Sequence, residues 1–352
     1  MPTLPTAPPD HPLPTRSRPD DARTTAHRPG RRTVVTEPVP LSVWLTGQQP
    51  SRVQRAGRYV PASVAHPGKM LPAIAAHAIT DYTEPGDLVL DPMCGIGTSL
   101  IEAVHAGRDA VGVEYEPPWA QLARRNLHHA RAQGATGHGT VHQGDARQIS
   151  SLLDPELAGR VALVLTSPPY GSSLHGQVTA RPGAGVDKRN HRYSRDPGNL
   201  AHVGLDRLLE AMVDILTACT ALLRPGGIVA MTVRPYWERG ALVDLPGRLT
   251  TAITDHTGLT LFERNVALLA GVRGDSLIPR ASFFQLAHIR KARAAGIPRH
   301  LIAHEDLLVF RNPPTCSGSE KLKGSQGEPE CSPRSLSSSG TWVRADDTGI
   351  AA

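Results

Sequence analysis

From about residue 51 to residue 312, short apolar runs alternate with stretches whose apolar residues recur at helical spacing. Met70 to Ile79 carries the first helical pattern, Leu88-Val89-Leu90 the first strand run, and Thr98 to Ala106 the helix after it. Ala110 to Val113, Thr140 to Gln143 and the strongly apolar Val161 to Leu165 are further strands, with a helix around Trp119 to Ala132. Leu205 to Leu223 reads as a long amphipathic helix stopped by Pro225-Gly226-Gly227, and Ile228 to Val233 as the strand beyond it. A helix over Leu242 to His256 follows, then strands over Leu259 to Ala270 and Asp306 to Phe310. Strands alternating with helices predict an α/β fold built on a doubly wound, Rossmann-like sheet.

The ends differ in composition. Residues 1–50 are rich in Pro, Arg, Asp and Thr without an apolar period, and residues 313–352 are rich in Ser and Gly. Both read as disordered tails around one domain over residues 51–312. The 32 prolines and the 39% hydrophobic content fit that division. A net charge of +6 and an isoelectric point near 9.4 suit a polyanionic partner without requiring one. Cys94, Cys219, Cys316 and Cys331 form no CxxC pair. That pattern predicts a reducing, cytoplasmic setting and no metal site. No apolar run is long enough for a membrane span, and no secretory signal is expected.

The first chemical signal is Asp91-Pro92-Met93-Cys94-Gly95-Ile96-Gly97-Thr98, which leaves a strand and opens a helix. Gly95 and Gly97 allow a tight turn and close approach to a ligand, and helix amides then face its polar end. Glu114 ends the next strand, where an acid can meet ribose hydroxyls. Asp145 follows the third strand, where it can accept from an adenine amino group. Leu100 stands where the dinucleotide fingerprint has its third glycine, and the loop opens with Asp-Pro. Both features point away from NAD.

The second signal, Ser167-Pro168-Pro169-Tyr170, follows the Val161 to Leu165 strand, at the sheet end where such folds bind ligands. The prolines remove two N–H donors, so a carbonyl and a side-chain oxygen can both accept from an amine. Tyr170 offers a face for stacking. A Pro-rich turn around a packed tyrosine is the plain structural reading of the same residues.

Ser167 to Tyr170 resembles the catalytic motif of DNA amino-methyltransferases, which make N4-methylcytosine and N6-methyladenine. Asp91 to Thr98 resembles their cofactor motif. His66-Pro67-Gly68-Lys69-Met70 resembles the remaining cofactor-side motif, and His304 to Phe310 the closing strand. The likeness spans about Val60 to Arg311. It implies a class I methyltransferase sheet and S-adenosylmethionine held by His66, Lys69, Asp91, Pro92, Gly95, Gly97, Thr98, Glu114 and Asp145. It implies Ser167, Pro168, Pro169 and Tyr170 as the catalytic residues, and DNA as substrate with cytosine N4 ahead of adenine N6. A restriction-modification setting goes with it. No large target-recognition domain is evident, which departs from sequence-specific members.

Two alternatives stay open. Enzymes that methylate guanine N2 in tRNA carry a similar Asp-Pro-Pro-Tyr motif, with Ser167 here in place of the Asp. A catalytically inactive nucleic-acid-binding protein of the same fold is the other. A C5-cytosine enzyme is disfavoured, because no Pro-Cys dipeptide occurs. Phosphate contacts are expected from Gly171 to Asp206, through Lys188, Arg189, Arg192 and Tyr193. Gly271 to His300 is a second basic segment, with Arg273, Arg280, Arg290, Lys291, Arg293 and Arg299.

Overall fold

The computed structural model describes residues 39–169, 177–181, 185–189, 196 and 198–314. Most of both expected tails therefore lies outside the described residues. The chain runs β1 (Val43–Trp44), α1 (Ser51–Arg55), α2 (Pro72–Tyr82), β2 (Leu88–Asp91), α3 (Thr98–His105) and β3 (Asp109–Glu114). Next come α4 (Pro117–Ala132), β4 (Gly139–Gln143), α5 (Ile149–Leu152), β5 (Val161–Thr166), β6 (Gln177–Arg181) and β7 (Gly185–Arg189). Then follow α6 (Leu205–Thr220), β8 (Leu223–Val233), β9 (Tyr236–Glu238), β10 (Ala241–Val243) and α7 (Leu245–His256). The last are β11 (Thr260–Leu268), β12 (Ala270–Arg273), β13 (Ser276–Pro279), α8 (Phe283–Ala294) and β14 (His304–Arg311).

Eight strands form one sheet in the order β1-β11-β14-β8-β5-β2-β3-β4. Strands β4, β3, β2, β5 and β8 are parallel, while β14 runs antiparallel to both β8 and β11. This is the doubly wound Rossmann-like sheet expected, with one reversed strand. Alternation in β5 explains how both faces are covered. Leu163 and Leu165 pack under α2, α3 and α4, while Val164 packs toward α6 and α7. The chain order reverses between β2 and β5, so their following loops diverge and leave a crevice at the carboxyl edge.

Three differences from the sequence reading have physical causes. Trp44 lies in the stretch assigned to the N-terminal tail, yet it is buried and stacks near the His77 ring. Val43 and Trp44 pair with Val266 and Ala267, so the ordered fold begins before residue 51. Pro225-Gly226-Gly227 does not stop a helix. Helix α6 ends at Thr220, and the three residues form an irregularity inside β8, between the Val161–Leu223 and Leu163–Ile228 pairs. The basic segment after residue 270 holds structure of its own: the β12–β13 hairpin and α8, whose capping box joins Ser282 and Gln285.

Candidate active site

A cavity of about 280 Å³ opens at the β2/β5 crevice. Its near wall is the loop after β2. Asp91 closes that strand and is buried. Its carboxylate accepts from the Met93 amide at 3.0 Å and from the Ser99 hydroxyl, tying the loop's start to the first turn of α3. Burial pushes the Asp91 carboxyl up to about 6, against the pull of those hydrogen bonds.

The two glycines differ in role. Gly95 lines the cavity at φ 54°, and a Cβ there would stand 3.1 Å from His66 Nε2. Gly97 sits at φ 81°, and a Cβ would stand 3.3 Å from the Ala123 Cβ. It serves the turn into α3 and its packing on α4.

Glu114, at the end of β3, accepts from the Gly95 amide at 2.8 Å and the Glu116 amide at 2.8 Å. Burial raises its carboxyl to about 7 despite both amides. Glu116 in turn accepts from Asn199 Nδ2 at 2.5 Å, which brings the segment before α6 against the cavity. Asp145 lines the opposite end and is clasped by Arg147 at 2.5 Å. Partial burial opposes ionisation of Asp145, but the Arg147 hydrogen bonds prevail and lower its pKa.

His66 and Lys69 also line the cavity, His66 buried. The His66 ring meets Trp119 edge-on at 4.7 Å between centroids. Lys69 Nζ donates to the His66 carbonyl and, at 3.3 Å, to the Val64 carbonyl. Burial, helped by the Arg55 charge, lowers Lys69 to about 8. Arg55 was marked by no motif. Its guanidinium donates to Thr98 Oγ1 at 3.2 Å and to the Met70 carbonyl, joining the His66–Met70 segment to the glycine loop.

Ser167, Pro168 and Pro169 form part of the same cavity wall as Gly95 and Glu114. Tyr170 lies outside the described residues, as do Arg192 and Tyr193. Lys188 and Arg189 fall on β7, where they pair with Val178 and Gln177 of β6. In the second basic segment two arginines are structural. Arg280 donates to the Gly47 carbonyl at 3.1 Å and the Gln48 carbonyl at 2.6 Å, and Arg299 is buried over the Trp237 ring at 4.2 Å. Arg273, Arg290, Lys291 and Arg293 remain exposed. Arg234 and Glu305 also line the cavity; no sequence motif marks Arg234, and Glu305 stands only within the closing-strand resemblance, with no role given to it. Among the described residues no helix is long and apolar enough to cross a membrane.

Comparison with known proteins bears out the resemblance read from the motifs. A family model described as DNA methylase matches residues 13–125, roughly a third of the chain. A tRNA (guanine(10)-N2)-dimethyltransferase of Methanothermobacter thermautotrophicus is 35% identical over 109 residues, 31% of this chain and 30% of that protein. A 4-amino-L-phenylalanine/4-methylamino-L-phenylalanine methyltransferase of Streptomyces pristinaespiralis is 43% identical over 86 residues, 24% of this chain and 25% of that protein. A Type II methyltransferase of Moraxella bovis is 30% identical over 77 residues, 22% of this chain and 28% of that protein. The chain thus matches less than a third of the length of each of these relatives.

Proposed function

We propose that this chain, which carries the DNA methylase signature over residues 13–125, transfers a methyl group from S-adenosylmethionine to an exocyclic amino group of a nucleic-acid base. One observation carries the reading: a single cavity is bounded by the Gly95–Glu114 corner and by Ser167-Pro168-Pro169. The residues fit the cofactor. Gly95 brings bare backbone to the wall, and the Glu114 and Asp145 carboxylates line the strand ends where ribose hydroxyls and an adenine amine need acceptors. The bound cofactor supplies an electrophilic methyl group. The protein's part is placement. Ser167 Oγ and the Pro168 carbonyl accept from the amine and aim its lone pair, which is otherwise delocalised into the ring.

DNA is the first substrate reading, with cytosine N4 favoured by Ser167 at the head of its motif. Such a base must leave a duplex to reach the cavity. Guanine N2 in RNA is the second reading, favoured by the tRNA enzyme matched over 109 residues. The named acceptors of two relatives share a chemistry: an amine on an aromatic ring. Calorimetry with S-adenosylmethionine tests the cofactor. Mass spectrometry of nucleosides from DNA and RNA of an expressing host tests the acceptor, with N4-methylcytosine in DNA the expected product. No new methylated nucleoside in either polymer would sink the nucleic-acid reading and leave a free aromatic amine as acceptor.

A further inference from the structure

Strand β14 enters the sheet antiparallel, so its first residues lie where its parallel neighbours end. Asp306 pairs with Val233, the last residue of β8, so Glu305 and Arg234 are the residues next beyond that pair on the two strands, and the Arg234 charge acts on the Glu305 carboxyl. On the other side of β8, Thr166 pairs with Met231, one residue before the Ser167-Pro168-Pro169 corner. Three neighbouring strand ends therefore present the Pro-Pro corner, Arg234 and Glu305 to one cavity. Leu307 and Val309 alternate with Glu305 toward the α2 and α3 face, while Asp306 turns away and accepts from Arg264 at 2.9 Å.

Methylation of an amine leaves a proton to be placed. An exocyclic amine has two N–H bonds, and the nitrogen becomes cationic when it gains a methyl group. The Ser167 hydroxyl and the Pro168 carbonyl are hydrogen-bond acceptors, but neither is a base. Glu305 is an ionisable acceptor on the same cavity. We propose that Glu305 takes the proton released by the amino group as it is methylated, with Arg234 holding the carboxylate in place across the β8–β14 pair. This rests on the methyl-transfer reading above.

The step balances. The nitrogen lone pair forms the N–C bond as the C–S bond breaks, and sulfur keeps the electrons of that bond. An N–H proton passes to a Glu305 oxygen, and its bonding pair returns to nitrogen, leaving a neutral methylamine. Burial raises the Glu305 carboxyl above its ordinary range, with Arg234 opposing the rise and Asp306 adding to it. A carboxylate so raised is a stronger base near neutral pH. The other titratable groups lining the cavity, among the described residues, are His66, Lys69, Asp91, Cys94, Glu114, Tyr115 and Asp145.

The test uses the full chain with unmethylated denatured DNA, an unmodified tRNA transcript, and two cofactor analogues. Glu305→Gln keeps an acceptor oxygen but cannot take a proton. It is expected to lower the single-turnover rate roughly 100-fold and to abolish the rise of that rate with pH. Glu305→Asp is expected to restore part of both. Calorimetry with S-adenosylhomocysteine should give the same affinity in all three proteins. The analogue carrying an aminated carbon in place of the methyl sulfonium should bind Glu305→Gln about tenfold more weakly, having lost a charged partner. Equal rates, pH profiles and analogue affinities in wild type and Glu305→Gln overturn the proposal. If the wild type binds S-adenosylhomocysteine but methylates neither nucleic acid, the nucleic-acid reading fails, and the analogue affinities still decide for or against Glu305.

Discussion

The Glu114 carboxylate accepts the Gly95 amide at 2.8 Å, so the acid at the end of β3 fixes the loop at the end of β2. A residue expected to face only a ligand thus also positions the glycine that faces that ligand. Its second oxygen takes the Glu116 amide at the start of α4. The corner after β2 and the β3–α4 corner are joined through one side chain.

This arrangement makes the ligand-free fold sensitive to pH. Burial raises Asp91 from 3.8 to about 6 and Glu114 from 4.5 to about 7. Between each pair of values the folded state holds the proton more tightly than the unfolded chain. The stability gained from that proton is full below the unfolded value and is lost as pH rises through the folded one. Urea midpoints without ligand are therefore expected to fall from pH 5 to pH 8. Glu114→Gln should remove its share of the fall, on the order of 2–3 kcal/mol. Identical slopes for variant and wild type would show that the Glu114 charge is not resisted by its surroundings.

The two loop glycines should fail in different ways. Gly97→Ala puts a side chain at φ 81°, against Ala123 and away from the cavity. It is expected to lose about 1–2 kcal/mol of stability with little change in S-adenosylmethionine affinity once folded. Gly95→Ala meets the His66 ring on the cavity wall, and should weaken the cofactor about tenfold or more. Calorimetry and thermal unfolding on the same two variants separate these outcomes. Equal binding losses in both would mean that Gly97 also contacts the ligand.

Ser167→Ala tests the target side. The residue lines the cavity beyond the glycine loop. Losing one hydrogen bond to the amine should slow single-turnover methylation roughly tenfold, with cofactor affinity unchanged. A variant with the wild-type rate would make the Pro-Pro segment a structural turn only.

The sheet was legible where strands were apolar and short. Val161 to Leu165 announced a buried strand, and the corners after β2 and β5 carried their chemistry in contiguous residues. Other parts depended on distant partners. Val43–Trp44 is a two-residue strand amid prolines, and only Val266 and Ala267 give it a place. Pro225-Gly226-Gly227 has the composition of a helix stop, yet Leu223 is already paired with Val161. Arg55 reads as one more basic residue until Thr98 and the Met70 carbonyl are brought to it. Arg280 and Arg299 read as two more cations of the second basic segment, but backbone carbonyls and the Trp237 ring engage them. Local patterning finds elements, whereas a side chain's role is set by what the fold packs beside it.

The reversed strand β14 has a consequence for how the protein is made. Ser167 and Glu305 line one cavity but stand far apart in the chain, with α6 to α8 and β8 to β13 between them. On the ribosome, β2 through β8 emerge and can pair before β14 exists. A nascent chain thus reaches the stage of a formed glycine corner while Arg234 still lacks its neighbour across the sheet. Insertion of β14 between β8 and β11 is then the event that both completes the core and finishes the pocket. Premature release before residue 304 would leave two unpaired, apolar strand edges exposed together, a form prone to association with other chains.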